Sequence, residues 1–187
     1  VKAQAPIGVH NAYLYLISDA AQELLDLAIG ARGELVIGGF ELGFGGLLKD
    51  GLVPKAMVTI TGAVGDFDLF GELLVQHGTE RDLITGPITV VAAADRGDWF
   101  LSSTGGVSYV HSDAGVFVSA QYYYNPLGYA DSTLRDDALL LSQLPDPPIG
   151  PVDLLFFGRH YGAVVVSWSE IGNSRFSAAL TWLGNLS

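Results

Sequence analysis

The chain has 187 residues, of which 49% are hydrophobic and 16% charged; 20 Asp+Glu against 9 Lys+Arg give a net charge of -11, and the mean hydropathy is +0.36. This balance excludes intrinsic disorder, which pairs low hydrophobicity with high charge, and a nucleic-acid binder, which needs clustered Lys and Arg against phosphate. The absence of Cys excludes a disulfide scaffold and thiolate metal sites.

A soluble domain carries about a quarter charged residues, so a smaller fraction in an apolar chain points to a large oligomer interface or a membrane. No stretch reaches the roughly 18–20 apolar residues of a transmembrane helix; apolar runs such as Leu154–Phe157 and Ala163–Val166 are far shorter. A closed β-barrel is the other way across a bilayer, because every backbone polar group must be paired inside hydrocarbon. The first residues, Val1-Lys2-Ala3-Gln4-Ala5-Pro6, carry neither an initiator Met nor a signal peptide, as expected of a mature or excised chain.

In chain order, His10–Ser18 and Gln22–Gly30 are the first extended segments. From Leu35 to Gly45, Val36, Gly38, Phe40, Leu42 and Phe44 alternate with Ile37, Gly39, Glu41, Gly43 and Gly45, the period of two that marks a half-buried strand. In Lys55–Val64, Ala56, Val58, Ile60 and Val64 alternate with Met57, Thr59 and Thr61. In Asp66–His77, Phe67, Leu69, Leu73 and Val75 alternate with Asp66, Asp68, Glu72 and Gln76. Ile84–Ala94 is an extra candidate, followed by Trp99–His111.

Toward the C-terminus, Val116, Val118, Ala120, Tyr122 and Tyr124 alternate with Phe117, Ser119, Gln121 and Tyr123. Val164, Val166 and Trp168 alternate with Val165, Ser167 and Ser169, and Phe176, Ala178, Leu180, Trp182 and Leu186 with Arg175, Ser177, Ala179 and Thr181. The pattern amounts to about nine strands of roughly 9–13 residues. A globular strand has about 5–6 residues, whereas a tilted membrane strand needs about 9–11.

The connectors alternate in style. Val64-Gly65-Asp66 and Ile171-Gly172-Asn173 are tight-turn sequences, and His111–Gly115 is similarly short. Gly78–Asp98 and the Pro-rich loop 125–154 are long, the latter with a possible short helix over Ser132–Leu144. Short turns on one side and long loops on the other are an outer-membrane barrel arrangement. Trp99, Tyr122, Tyr124, Trp168 and Trp182 fall near strand ends, where Tyr and Trp form interfacial girdles because each has an apolar body and a hydrogen-bonding tip.

Three phrases carry a resemblance: Gly65-Asp66-Phe67-Asp68-Leu69-Phe70-Gly71-Glu72, Ala120-Gln121-Tyr122-Tyr123-Tyr124-Asn125, and Gly158-Arg159-His160-Tyr161 running to Ser167-Trp168-Ser169-Glu170. From Leu35 onward the chain resembles bacterial outer-membrane β-barrel proteins, porin-like or uncharacterised. The resemblance implies a single all-β domain, 1–187, folded as an antiparallel up-and-down transmembrane barrel in the bacterial outer membrane. It implies membrane lipids or lipopolysaccharide, and other barrel subunits, as partners. Such barrels usually end on an aromatic residue, whereas Gly184-Asn185-Leu186-Ser187 does not. That departure, with an odd strand count where single-chain barrels have even ones, leads us to expect a portion of a larger barrel.

In that frame Phe40, Leu42, Ile60, Leu69, Val118, Val166 and Leu180 face lipid, and Glu41, Asp66, Asp68, Glu72, Gln121, Arg159 and Arg175 face the lumen. Acidic residues opposite Arg159 and Arg175 would create a transverse field that selects solutes by charge; a barrel filled by mutually paired charges is the alternative. Asp136, Asp137, Asp146 and Asp153 read as a solvated acidic loop in preference to a divalent-cation site.

His10, His77, His111 and His160 show no metal-ligand spacing, no nucleophile-elbow motif is present, and the Gly38-Gly39 and Gly45-Gly46 stretches are not phosphate loops. No catalytic residue, cofactor or metal is expected. The leading expectation is a passive channel or scaffold for small polar solutes and not an enzyme. A soluble β-barrel or sandwich binding an apolar ligand or partner chain is the second reading, and a lipid-acting barrel enzyme with a Ser–His pair such as Ser112 and His111 the third.

Overall fold

A computed structural model describes residues 1–17, 27–79, 82–83, 92–93, 97–129, 136, 140, 143, 145, 158–170 and 175–186. The alternating segments form one ten-stranded antiparallel sheet. Its strands are β1 (Lys2–Ile7), β2 (His10–Ile17), β3 (Ala28–Ile37), β4 (Phe40–Leu48), β5 (Lys55–Val64), β6 (Phe67–His77), β9 (Trp99–His111), β10 (Val116–Tyr124), β11 (His160–Trp168) and β12 (Ala178–Asn185). Two-residue strands β7 (Asp82–Leu83) and β8 (Ala92–Ala93) pair apart from it. Within the sheet each strand pairs with its neighbours in the chain, an up-and-down meander.

Several boundaries differ from the sequence expectation. The Leu35–Gly45 segment is two strands, because Gly38 and Gly39 adopt φ 58° and 86° and close a two-residue hairpin between Ile37 and Phe40. Positive φ at both central residues is the primed-turn geometry whose twist suits antiparallel strands. The turn reverses the chain, so Val36 pairs with Glu41 and Leu35 with Leu42. Val36 therefore shares the face of Glu41 and not that of Phe40. Lys2–Ile7, too short and polar at its start to show a clear period, is a strand as well. Lys55–Val64 and Trp99–His111 have their expected bounds. Ile84–Ala94 apart from residues 92–93, the start of Gln22–Gly30, the Ile171-Gly172-Asn173 turn, and most of Ser132–Leu144 and of the loop 125–154 lie outside the described residues.

Short connections join β1 to β2, β3 to β4, β5 to β6 and β9 to β10, all at one end of the sheet. The 78–98 and 125–159 connections are at the opposite end. The hairpins are staggered in steps. Asn11 pairs with Glu34, so the Ile7–His10 closure is level with Leu35, two residues inside Ile37–Phe40. Phe40 pairs with Gly62, two residues inside the Val64–Phe67 closure, and Phe67 pairs with Tyr109, two residues inside His111–Val116. A two-residue step per hairpin is one residue, about 3.3 Å, for each interstrand spacing of about 4.8 Å. The resulting slant of about 35° lies at the tilt that barrel closure requires.

The expected closed barrel is not formed. β1 pairs only with β2, and β12 only with β11. Closure is a pairing between the two ends of the chain, and no turn residue encodes it. The sheet contains ten strands, and β1 and β12 run in opposite directions, so the two free edges have the polarity that antiparallel pairing needs.

Burial is inverted relative to a two-layer domain. Among the described residues Ala28 is the only buried apolar one, and no large side chain is fully buried. Half-buried Met57 and Thr59 alternate with exposed Val58 and Ile60, as Val165 and Ser167 do with Val164 and Val166. The sheet thus curls toward its polar side and presents its apolar side outward.

Candidate functional site

Register sorts every strand residue onto one of two faces, because residues paired across an antiparallel ladder point the same way. One face carries Leu35, Leu42, Ile60, Gly71 and Gly105 in one row, and Phe40, Gly62, Leu69, Val107, Ala120, Val164 and Trp182 in another. Val118, Val166 and Leu180 form a third. Phe40, Leu42, Ile60, Leu69, Val118, Val166 and Leu180 therefore share this face. Across all ten strands it bears no Asp, Glu, Lys or Arg. Phe44 and Phe40 lie across Gly33 and Gly62, where a Cβ would clash with the rings. Small residues opposite aromatic rings thus keep the face smooth.

Aromatic and imidazole groups collect at both ends of this apolar face. At the long-loop end His77 meets Trp99 edge-on at 4.8 Å, and Tyr122 Oη lies 2.5 Å from His160 Nδ1, with the Tyr124 ring tilted against His160 at 5.3 Å. Trp182, expected near a strand end, pairs with Val164 at the middle of β11 and so stands mid-strand on this face. At the short-turn end stand Trp168, the Phe67–Tyr109 pair at 5.2 Å, and His111, whose Nδ1 accepts from Ala114 N. His10 Nδ1 accepts from Val36 N at 3.1 Å. All four histidines cap strand ends, and among the described residues no group of three or more His, Asp and Glu is placed to hold a metal.

The opposite face holds all seven charged residues of the sheet: Lys2, Arg32, Glu34, Glu41, Lys55, Asp68 and Glu72. Register sorts them along the strands. Lys2 and Lys55 occupy the row nearest the long loops, with Tyr15 and Gln76. Arg32 lies one step inward, opposite Tyr13 and Gly45. Glu34 and Glu72 share the next row with Asn11, Gly43, Thr59 and Thr104, Glu41 follows with Thr61, and Asp68 is the furthest toward the short turns. Bases thus occupy the long-loop end of this face and acids the short-turn end.

The sequence-predicted lumen set divides. Glu41, Asp68, Glu72 and Gln121 are on the polar face. Asp66 is in the β5–β6 turn, and Arg159 precedes β11 and donates from Nε to Gly128 O at 2.9 Å. Arg175 precedes β12 and is exposed. Neither arginine stands in a strand, so opposed acidic and basic rows are not assembled across the sheet. The field runs along the strands instead.

The basic end is organised by groups that sequence reasoning passed over. Arg32 Nε lies 3.1 Å from Glu34 Oε1, an ion contact without hydrogen-bond alignment, and Tyr13 Oη donates to Glu34 Oε2 at 3.0 Å. Lys2 Nζ stands 4.5 Å from the Tyr13 ring centroid, within cation–π range. A Cβ on Gly43 would be 3.3 Å from Arg32 Nη2 and clash with Thr59 Oγ1, so the bare backbone lets the guanidinium lie beside β4. Arg32 and Glu34 were discoverable from the alternation in Ala31–Ile37 once Gly38-Gly39 is recognised as a turn. Asp136 is described, while Asp137, Asp146 and Asp153 lie outside the described residues. No protein-family model, curated protein or solved structure matches the chain.

Proposed function

We propose that the chain forms a β-barrel of the bacterial outer membrane, with the uncharged face against lipid or lipopolysaccharide and the polar face enclosing a passive path or scaffold for small polar solutes. One observation carries this reading: every formal charge of the sheet is on one side, and the other side is apolar across ten strands with exposed Val58, Ile60, Leu73, Leu101 and Leu180. Hydration of so large an apolar surface costs on the order of tens of kcal/mol at about 25 cal/mol per Å². That exceeds the roughly 5–15 kcal/mol stability of a domain, so the face needs a cover. Lipid is the cover that also accounts for aromatic and imidazole groups at both strand ends, for lengths of 8–13 residues in every strand of the ten-stranded sheet after β1, and for the barrel-like slant.

The unpaired β1 and β12 edges support closure on each other or onto another barrel subunit, since an exposed edge is a template for pairing. A water-filled path requires one of these closures. The test is reconstitution of the purified full chain into planar lipid bilayers: stepwise ionic currents are expected. A monodisperse protein in detergent-free buffer that neither partitions into vesicles nor carries current overturns the reading and favours a soluble β-protein whose apolar face binds a ligand or partner chain.

A further inference from the structure

We propose that the long-loop end of the polar face holds a subsite for the anionic group, a carboxylate or a phosphate monoester, of a small solute with an apolar body. The inference deepens the channel reading and rests on it, in that it takes the polar face as the one solutes meet. A depression there is lined by Tyr15, Arg32, Gly45, Lys55, Met57 and Leu74. Its floor is bare backbone where Gly45 stands between Arg32 and Met57. A Cβ at position 45 would stand 2.7 Å from Ala31 O and 3.5 Å from Arg32 Cβ, so any larger residue would fill the space.

The chemistry around this space is that of an anion holder. Glu34 occupies the Nε side of Arg32 and is itself fixed by Tyr13. That leaves the two Nη groups, the fork that binds planar or tetrahedral oxyanions through paired hydrogen bonds. The Lys55 ammonium has no partner among the described residues, and Lys2 rests over the Tyr13 and Tyr15 rings. Lys2, Arg32 and Lys55 fill the two rows nearest the long loops, and Glu34 and Glu72 share the row after them, so the outermost rows of this face carry only positive charge in a chain of net charge -11. The bulk charge of the protein does not produce that; the register does. Glu41 and Asp68 lie further along the strands, so on this face a bound anion meets attraction in the outer rows and repulsion further in. That order makes a binding place out of what would otherwise be an open anion path. Tyr15, Met57 and Leu74 supply apolar lining that an inorganic ion would leave unused.

The test is calorimetric titration of the detergent-solubilised full chain with benzoate, phenyl phosphate and benzyl alcohol at fixed ionic strength. At least one anion should bind at least tenfold more tightly than the alcohol, and the better of the two identifies the oxyanion. Arg32→Gln and Lys55→Gln should each weaken it about tenfold, Arg32→Lys should restore less than the full affinity, and Asp113→Asn at the short-turn end should leave it unchanged. Circular dichroism and thermal melting establish that the variants fold; Lys55→Gln, at a strand terminus, serves if Arg32→Gln does not. Equal binding of the alcohol, or unchanged affinity in folded Lys55→Gln and Arg32→Gln, overturns the subsite. Anion binding without bilayer current refutes the channel and keeps the subsite; current without anion binding does the reverse.

Discussion

Ile60 and Thr61 are neighbours in β5 with opposite surroundings, and replacing each by Arg separates a lipid-covered face from a wet one. Ile60 is 43% exposed, lies near the middle of its strand, and pairs with Leu42 on β4 and Gly71 on β6. Thr61 points to the other side and pairs with Glu41 and Phe70. An arginine at mid-bilayer costs about 2–4 kcal/mol on the lipid face of a barrel. At 1.4 kcal/mol per factor of ten, Ile60→Arg should shift the folding equilibrium by roughly 30- to 700-fold. Thr61→Arg places a cation beside Glu41 in solvent and should stay within about 0.5 kcal/mol. The assay is reversible urea unfolding in phosphatidylcholine vesicles, followed by tryptophan fluorescence, with both variants at the same lipid ratio. A difference below about 1 kcal/mol, or a larger loss for Thr61→Arg, refutes the assignment of faces to lipid and lumen.

Two further outcomes follow from the geometry. Gly39 holds φ 86° in the β3–β4 hairpin, so Gly39→Val should lose about 1–2 kcal/mol in equilibrium unfolding; unchanged stability would show that the turn is formed elsewhere. The Arg32–Glu34 contact is 33% and 16% exposed at its two side chains, so a double-mutant cycle by urea unfolding should return a coupling of at most about 1 kcal/mol; a value well above that would mean the pair is sealed from water.

Much of the sheet was legible in the chain because strand periodicity is local. Val116–Tyr124 and Lys55–Val64 alternate strictly, and each face of those strands could be read from the residues themselves. The candidate site was less legible. Its basic end consists of Lys2, Arg32 and Lys55, drawn from three strands, two of which the periodicity reading missed or misplaced. Gly38-Gly39 read as small residues inside a strand, yet paired glycines at positive φ reverse the chain and change which partner Val36 meets. Arg159 and Arg175 keep the right parity by counting but fall just outside β11 and β12, where parity assigns no face.

Alternation by itself determined that this is an extended antiparallel protein with one uncharged and one polar side, since successive side chains in a strand must point opposite ways. Only the tertiary structure decided how the strands align. Tight turns fix the register inside each hairpin, but between hairpins, as where β6 meets β9 and β10 meets β11, it is set between residues far apart in the chain, and sliding one strand by two residues preserves both faces while moving every charge along them. The gathering of cations near the long loops, the carboxylates near the short turns, and the two unjoined edges all belong to that alignment.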